Sequence, residues 1–578
     1  MKKTISIVVL LCIAAVGGAV WYLSRPASGA AHPDELLPEN TLVMVEAVEL
    51  KKGLDAFRAG PLGQAISGID LPACMGALDA EPEAIERVSR LQAQLKAGID
   101  SPWFDTLFGE LVVFALLTPE PDDLSTPVEG RWQESAVMVL QPRKPAEMIQ
   151  WIAKMFAGDV AVTEQTEGGV RMDRVETPDG PPLFVAVHRG LGLLALDPKP
   201  VVRCLAESGA RNSLARNPAY AAMRAELGSG GEGAFVWIDL QRTLNLFFML
   251  AAQAGMDDAD VAQARRDWAG LLEARPVIAA KAVEDGEAVH HRIRVRYNAS
   301  DLSPEAAGIL GVPPSANDTF HWVPEEALYY TWQNNFDQVL ASLLDLSRHD
   351  GKGAAAFRRS FVDRTGVAPD DVVGAFGSQI AFMIRDIRTG GLFPVPELAL
   401  MAEVVDPAVI DRLVETAAVS FGLAMAEEGD GEGRIRYVWL PYGKDISPAY
   451  AVSQGFLVVA SSRGLLKSLL SRGDGWQPLM DSQPFRAVVK RFSDPANQMT
   501  FLRSGQAAKK AGDLIRWGLS LAVMTGKAEE ARQMIYIANK VAAPILEGLS
   551  TYPAVGSRTV IQEDGIQTDV HVLNPRQP

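Results

Sequence analysis

The amino-acid sequence predicts an α+β protein made of two tandem related domains. The stretch 37–298 is echoed in the same order by the stretch 323–574, and both mix short alternating apolar runs with helical patterns. Consecutive strand-like runs joined by tight turns imply antiparallel pairing, and helices grouped between them imply a layered architecture. We therefore expect each domain to be a mainly antiparallel sheet packed with helices, with 299–322 as a linker.

The similarity between the two stretches follows offsets that stay constant within an element and change only at loops. Leu37-Pro38-Glu39 opens the first stretch, and Val323-Pro324-Glu325 opens the second, 286 residues later (323 − 37). Phe108-Gly109, which precedes an apolar run, recurs as Phe376-Gly377 at an offset of 268 (376 − 108). Several such matches in one order, with offsets that change only at loops, indicate a duplication.

Two further matches extend the echo. Pro145 and Pro407, 262 residues apart (407 − 145), each precede apolar residues at the spacing of one buried helix face. Both stretches close with a Glu-Asp-Gly turn between apolar segments, at 284–286 and 563–565, which predicts hairpins. The period is far longer than the roughly 20–50 residues of solenoid repeats, so each copy should have its own core.

The elements of the first copy can be placed approximately. Strands are expected at 42–47, 111–117, 136–140, 170–175, 183–187, 191–196, 234–239, 278–283 and 289–297. Helices are expected at 50–57 and 84–97, after Pro145, twice between 196 and 234, and as a long pair at 244–254 and 259–274.

The N-terminus predicts a membrane anchor. Lys2 and Lys3 precede an apolar stretch over residues 5–23, close to the roughly 20 residues that a helix needs to cross a bilayer. Trp21 and Tyr22 lie at its far end, where aromatic rings favour the headgroup region. The lysines orient that end to the cytoplasm, so residues 1–30 are interpreted as a signal anchor in a bacterial inner membrane, with the domains in the periplasm.

The alternative is a cleaved signal peptide that releases the protein into the periplasm. The small-residue tract 27–31 offers a cleavage site, although the apolar run is longer than the roughly 7–15 residues of a typical signal peptide. A start of the mature chain near Ala31 would rule out the anchor.

Composition and charge narrow the possible partners. The chain has 578 residues, of which 48% are hydrophobic and 22% charged, as in ordinary globular proteins. Its formal charge of −16 argues against nucleic acid as a partner, since binding to phosphates requires clustered Lys and Arg. Of three cysteines, Cys74 and Cys204 are free to form one disulfide in an oxidising compartment, and this possibility stays open.

The sequence contains no recognisable catalytic, cofactor or metal motif. None of the seven histidines stands in a metal-ligand spacing, and neither a nucleophile elbow nor a phosphate-binding loop is present. The pair Asp257-Asp258 is interpreted as a helix start, where acidic side chains stabilise the positive end of the dipole.

One feature suggests a binding site. In both copies the helix after the strand at 234–239, or its counterpart, is unusually apolar. Such a helix is buried, dimerises, contacts lipid or lines a cavity, and burial is the simplest of these interpretations. The functional hypothesis is an apolar groove that accepts a lipid, a hydrophobic peptide or a partner protein. It would be lined by Leu244, Phe247, Phe248, Met249, Leu514, Trp517, Leu521 and Met524.

The opening at 37–42, the Gly98 and Phe108-Gly109 element, and the helix start at 217–220 resemble a bacterial family of membrane-anchored extracytoplasmic proteins known only as a domain of unknown function. The resemblance implies an envelope protein and supplies no catalytic residues. The second copy departs from it, with Glu326-Ala327 in place of Asn40-Thr41. We expect a non-catalytic binding or scaffold protein; the alternatives are a carrier of a lipid or other hydrophobic ligand and a hydrolase of unrecognised type.

Overall fold

The structure is a computed structural model. It describes residues 32–119, 134–143, 161–176, 181–206, 212–228, 233–253, 256–284, 286–344, 351–389, 391, 393–429, 433–440, 446–473, 475–490, 495–524 and 528–575. The N-terminal apolar segment and the helix expected after Pro145 lie outside these residues. Within them, none of the helices combines the length and the apolar character that crossing a bilayer requires.

The chain divides into two compact units. The first comprises Met1–Ser303 with Asp564–Gln567, and the second comprises Pro304–Glu563 with Thr568–Pro578. The boundary falls inside the segment expected as a linker. That segment contains a helix at Pro304–Leu310 and a short 3-10 turn at Phe320–Trp322, both of which belong to the second unit.

The described part of the first unit contains one antiparallel sheet. Its strands are β1 (Thr41–Val48), β2 (Leu111–Leu117), β3 (Ala136–Gln141), β4 (Val162–Glu167), β5 (Val170–Val175), β6 (Leu183–His188), β7 (Leu191–Ala195), β8 (Phe235–Asp239), β9 (Val277–Glu284) and β10 (Ala288–Arg296). They lie in the order β4-β5-β6-β7-β3-β2-β1-β8-β9-β10.

Helices fill the connections of the first unit. They are α1 (Leu50–Ala59), α2 (Pro61–Ser67), α3 (Leu71–Ala77), α4 (Pro82–Ile99), α5 (Pro102–Phe108), α6 (Pro198–Ala206), α7 (Pro218–Leu227), α8 (Leu240–Gln253) and α9 (Asp258–Leu272). Local sequence sets several starts, because Asn217 caps α7 and Asp257 caps α9 through side-chain oxygens.

The second unit contains an antiparallel sheet in its described residues. Its strands are β11 (Tyr329–Gln333), β12 (Phe376–Arg388), β13 (Val395–Val404), β14 (Met425–Glu428), β15 (Ile435–Val438), β16 (Ala449–Ser453), β17 (Phe456–Ala460), β18 (Gln498–Leu502), β19 (Val555–Gln562) and β20 (Gly565–Leu573). The order is β14-β15-β16-β17-β13-β12-β11-β18-β19-β20.

The helices of the second unit occupy the corresponding connections. They are α10 (Pro304–Leu310), α11 (Phe336–Leu344), α12 (Gly351–Thr365), α13 (Pro369–Ala375), α14 (Pro407–Ser420), α15 (Arg463–Ser471), α16 (Gln483–Val489), α17 (Ser504–Met524), α18 (Ala528–Ile537) and α19 (Ala543–Ser550). A π-helical turn at Ala538–Ala542 joins α18 to α19.

Strand register relates the two units residue by residue. Met44 of β1 pairs with Ala115 of β2, and Tyr330 of β11 pairs with Met383 of β12. These partners are separated by 286 (330 − 44) and 268 (383 − 115) residues, the offsets that the sequence echo shows. The order of strands and their register therefore agree between the units.

Each sheet has a large core on one face and a smaller one on the other. In the first unit the large core includes Val113, Val139, Val201 and Trp237, and the smaller one includes Val112 and Val185. The second unit repeats this division, with Trp332 and Phe501 in the large core and Ile410 of α14 in the smaller one. The prediction of a mixed α+β fold with antiparallel sheets is confirmed.

Corresponding hairpins use the same tight turn. β6 and β7 are joined by Arg189-Gly190, and β16 and β17 by Gln454-Gly455. All four residues have positive φ, between 50° and 85°, as a two-residue type I′ turn requires. Glycine at the second position adopts this conformation without the strain that a Cβ would bring.

Candidate functional site

The eight residues expected to line an apolar groove lie on α8 and α17, the helices that follow β8 and β18. The register of these strands places Trp237 opposite Met44 and Phe501 opposite Tyr330, an offset of 264 (501 − 237). At this offset Leu514 corresponds to Leu250. The predicted apolar residues of α17 therefore lie further along their helix than those of α8. This is possible because α17 continues beyond the point where α8 ends.

In the first unit, half of the predicted residues belong to the interior of the helix pair α8 and α9. Phe248 is buried with Ala251, Val261 and Leu272, and Leu244 packs against this cluster. Met249 is partly buried, whereas Phe247 keeps 57% of its surface exposed. Plain burial thus accounts for Phe248 and Leu244, and Phe247 remains available for contact.

Two exposed side chains on the same helix pair were not predicted. Met256, in the turn after α8, is 50% exposed, and Trp268 of α9 is 45% exposed. The signal was present in the sequence as a tryptophan within a charged helix. Together with Phe247 they give the α8–α9 pair an exposed apolar surface.

In the second unit, α17 has one face that packs and one that is only partly covered. A Cβ on Gly505 would lie 2.5 Å from the Ser550 carbonyl oxygen, so α17 meets the end of α19 backbone to backbone. On the far side of α17, Leu514, Trp517 and Leu521 are partly buried, and the Trp517 ring lies 6.3 Å from that of Phe393.

The end of α17 is the most exposed apolar segment of this helix. Met524 is 81% exposed and its neighbour Val523 is 59% exposed. Met534 of α18, which was not predicted, is also exposed. Both units therefore present apolar side chains on the helices between the eighth and ninth strands of their sheets.

A second feature of the first unit is a buried charged cluster around its N-terminal segment. We call residues 32–37 the first strap. The strap is held by backbone bonds from Leu214 N–H to the Leu37 carbonyl (2.7 Å) and from Glu39 N–H to the Asn212 carbonyl (2.7 Å). It thereby covers the large core beside β1 and α7.

Side chains complete the attachment of the first strap. The Tyr220 hydroxyl donates to Asp34 at 3.0 Å, and the His32 Nδ1 atom lies 3.2 Å from the same carboxylate. Arg224 donates to Glu46 of β1 at 2.8 Å, lies 3.0 Å from His32 Nε2, and its guanidinium sits over the Phe235 ring. Glu46 and Arg224 are both buried.

The cluster stabilises its own charges. Burial favours a neutral Asp34, but the hydrogen bonds and charge of His32 and Tyr220 outweigh burial and lower the pKa of Asp34. The hydrogen bond with Asp34 raises the pKa of His32 against the effect of burial. Burial opposes the charge on Arg224, yet Glu46 and Tyr220 leave its pKa raised.

The second strap, residues 318–323, occupies the corresponding place in the second unit. Leu479 N–H donates to the Val323 carbonyl (2.8 Å) and Glu325 N–H donates to the Gln477 carbonyl (2.7 Å). The Phe320 ring meets that of Phe485 edge to face at 5.4 Å, and Asp318 accepts from the Gln379 amide at 2.8 Å. Burial and the charge of Arg472 lower the pKa of His321.

The described residues include two cysteines and several side chains of the kinds that bind metal ions. Cys74 and Cys204 are both buried and free, so the disulfide left open by the sequence is not formed. Burial raises the pKa of the Cys204 thiol to about 12, which suppresses the reactive thiolate. Among the residues described, no group of three or more His, Cys, Asp or Glu is arranged to hold a metal ion.

Comparisons with known proteins give no significant match to this chain, whether to a protein-family model, a curated protein or a solved structure.

Proposed function

We propose that this chain is a membrane-tethered binding protein of the bacterial cell envelope, built from two tandem copies of one domain, which acts by holding a partner protein. The observation that carries the proposal is the exposed apolar surface on the helices between the eighth and ninth strands of each unit, formed by Phe247, Met256 and Trp268 and by Val523, Met524 and Met534. Several large exposed apolar side chains on one group of neighbouring helices are a feature of interaction sites.

The duplication is supported by agreement at two levels. The sequence offsets 286 and 268 recur in the register of independent strand pairs, and the two described sheets share one order of ten strands. Two copies of a domain give a protein two surfaces of related shape. We infer that the helices after the eighth strand are where the copies contact partners, since both units expose large apolar side chains there.

The cellular location is proposed from the N-terminal sequence. An apolar run over residues 5–23 after two lysines suits a signal anchor that leaves the rest of the chain in the periplasm. The resemblance to membrane-anchored extracytoplasmic proteins is consistent with this location. Intact-mass measurement of the native protein distinguishes a retained anchor from cleavage near Ala31.

Paired substitutions on the exposed surface test the binding proposal. Phe247→Ser with Trp268→Gln removes the apolar contacts of the first unit, and Met524→Gln with Met534→Gln removes those of the second. Because these side chains are exposed, thermal unfolding should change little. Partners captured by crosslinking in native membranes, quantified by mass spectrometry, should fall by about tenfold or more, the loss expected when interface anchors are removed.

A matched control uses exposed leucines elsewhere in the first unit. Leu91→Gln with Leu95→Gln alters α4 at comparable exposure and should leave the captured partners unchanged. Equal capture by the test variants and the wild type would exclude these helices as the contact surface. Recovery of a bound lipid by native mass spectrometry, with no protein partner, would favour the carrier alternative instead.

A further inference from the structure

The two straps dock through the same backbone contacts in both units. The bonds from Leu214 N–H to Leu37 and from Glu39 N–H to Asn212 in the first unit match those from Leu479 N–H to Val323 and from Glu325 N–H to Gln477 in the second. The backbone bonds of the two straps are therefore alike. The difference between the two docked straps lies in their side chains.

The side chains at corresponding positions are chemically opposed. At the offset of 286, Asp34 corresponds to Phe320 and Glu46 to Trp332. The helices α7 and α16 are capped by Asn217 and Ser482, an offset of 265 (482 − 217), so Tyr220 corresponds to Phe485 and Arg224 to Val489. The same contact is a hydrogen bond between Tyr220 and Asp34 in one unit and a ring contact between Phe485 and Phe320 in the other.

An exchange of straps would be unfavourable in both directions. Asp34 placed beside Phe485 and Val489 would lose the charge of Arg224 and the hydrogen bond from Tyr220, which together lower its pKa in the first unit, so the carboxylate would be less well compensated there. Phe320 placed in the first unit would take the Asp34 carboxylate away from the Tyr220 hydroxyl, whose remaining contact is the Met44 sulfur, a weak acceptor. Each arrangement of residues suits one strap and penalises the other.

We propose that these side chains form a recognition code by which each unit accepts only its own strap. Asp34, Tyr220, Glu46 and Arg224 specify the first pairing, and Phe320, Phe485 and Trp332 specify the second. Tandem copies of one domain are prone to misassembly between copies, because each offers docking sites for segments of the other. Opposed chemistry at one contact excludes the wrong pairing without altering the fold.

Reciprocal substitutions in the full-length chain test the code. Asp34→Phe gives the first strap the residue of the second, and Phe320→Asp does the reverse. The amides of Leu214 and Glu39 report docking of the first strap in hydrogen exchange, and those of Leu479 and Glu325 report docking of the second. Each substitution should accelerate exchange of the reporters in its own unit on the order of a hundredfold and leave the other unit unchanged.

A rescue variant distinguishes recognition from simple damage. Asp34→Phe combined with Tyr220→Phe, Glu46→Trp and Arg224→Val gives the first unit the side chains that the second has at these positions. It should restore the hydrogen-exchange protection of the reporter amides to within about tenfold of the wild type. Glu35→Gln, which changes an exposed side chain of the same strap, serves as the control. Reporters that stay protected in Asp34→Phe, or that the rescue variant leaves unprotected, would overturn the code.

Discussion

The straps of the two units offer a comparison of two solutions to one packing problem. Both straps cover the large core of a sheet with the same strand order, yet one is held by a buried network of charges and the other by aromatic rings. A buried ion pair and a well-packed apolar contact of similar volume have comparable net free energies, because desolvation offsets most of the Coulomb attraction. The fold therefore tolerates either chemistry, provided that the set of contacts is complete.

Trp332→Glu should have the largest effect, because it places the residue of the first unit in the second without its arginine. Trp332 is buried, and its indole donates to Gln379 at 3.0 Å. An unpaired carboxylate there should destabilise the second unit by more than about 4 kcal/mol, measured by urea unfolding. Trp439→Glu, at an exposed tryptophan of the same unit, is the control and should change stability by less than about 0.5 kcal/mol.

Arg224→Met should destabilise the first unit by about 3–5 kcal/mol, since it removes the guanidinium that pairs directly with the buried Glu46 carboxylate. Urea unfolding with hydrogen exchange assigns the loss to the first unit. Arg90→Met removes an exposed ion pair with Glu86 and should cost less than about 0.5 kcal/mol.

The double variant Glu46→Leu with Arg224→Met sharpens this result. Removing both charges should bring stability back to within about 1–2 kcal/mol of the wild type. A double variant as unstable as Arg224→Met alone would show that the charges themselves, and not their pairing, hold the strap.

Acidification should affect the two straps in opposite directions. The pKa of His32 is raised by Asp34, so its contribution is present below the unfolded value of about 6.5 and is lost as the pH rises through the folded pKa. The pKa of His321 is lowered, so its contribution is present above about 6.5 and is lost as the pH falls through the folded pKa.

Between pH 8 and pH 5, the first strap should therefore become better protected and the second less well protected. Hydrogen exchange at Leu214 and Leu479, corrected for the intrinsic effect of pH, measures both in one sample. His32→Gln should abolish the first trend alone and His321→Gln the second alone. Parallel trends in the two units would contradict the assignment.

Gly190→Ala and Gly455→Ala should produce the smallest effects, and equal ones. Both glycines have positive φ, and a Cβ at either position would meet no atom within 4 Å. The cost then comes from backbone conformation alone, about 1 kcal/mol in each unit, measured by urea unfolding. A clear difference between the two variants would show that the corresponding hairpins are not equivalent.

Much of the sheet could be predicted because apolar runs, either continuous or alternating with polar residues, mark its strands. The runs expected at 111–117 and 170–175 match β2 and β5 residue for residue, and the offsets anticipated the register. β4 was missed because its sequence after Val162 is Thr-Glu-Gln-Thr-Glu, which carries no apolar alternation. The short helices α2, α3 and α5 were missed as well, since a helix of seven residues spans too few turns to show a period.

The straps and the charged cluster could not be predicted from local patterns. Both repeats were expected to begin at the Pro-Glu motifs, at 37 and 323, so the preceding strap residues were left outside. His32 stands in no metal-ligand spacing, and its contact Arg224 is 192 residues away in the sequence. Comparing the two units gives the missing signal: Asp34 and Glu46 of the first stand where Phe320 and Trp332 stand in the second.

The long separation of strap and partner in sequence has a consequence for folding kinetics. Asp34 and Tyr220 are 186 residues apart, so the first strap has nothing to bind until α7 has been synthesised and placed. Contacts that close such long loops form late and slowly. The strap leaves the ribosome before the sheet and helices of the first unit, yet it is thus among the last of its segments to become fixed, and a protease present during folding should cut there before anywhere else in the first unit.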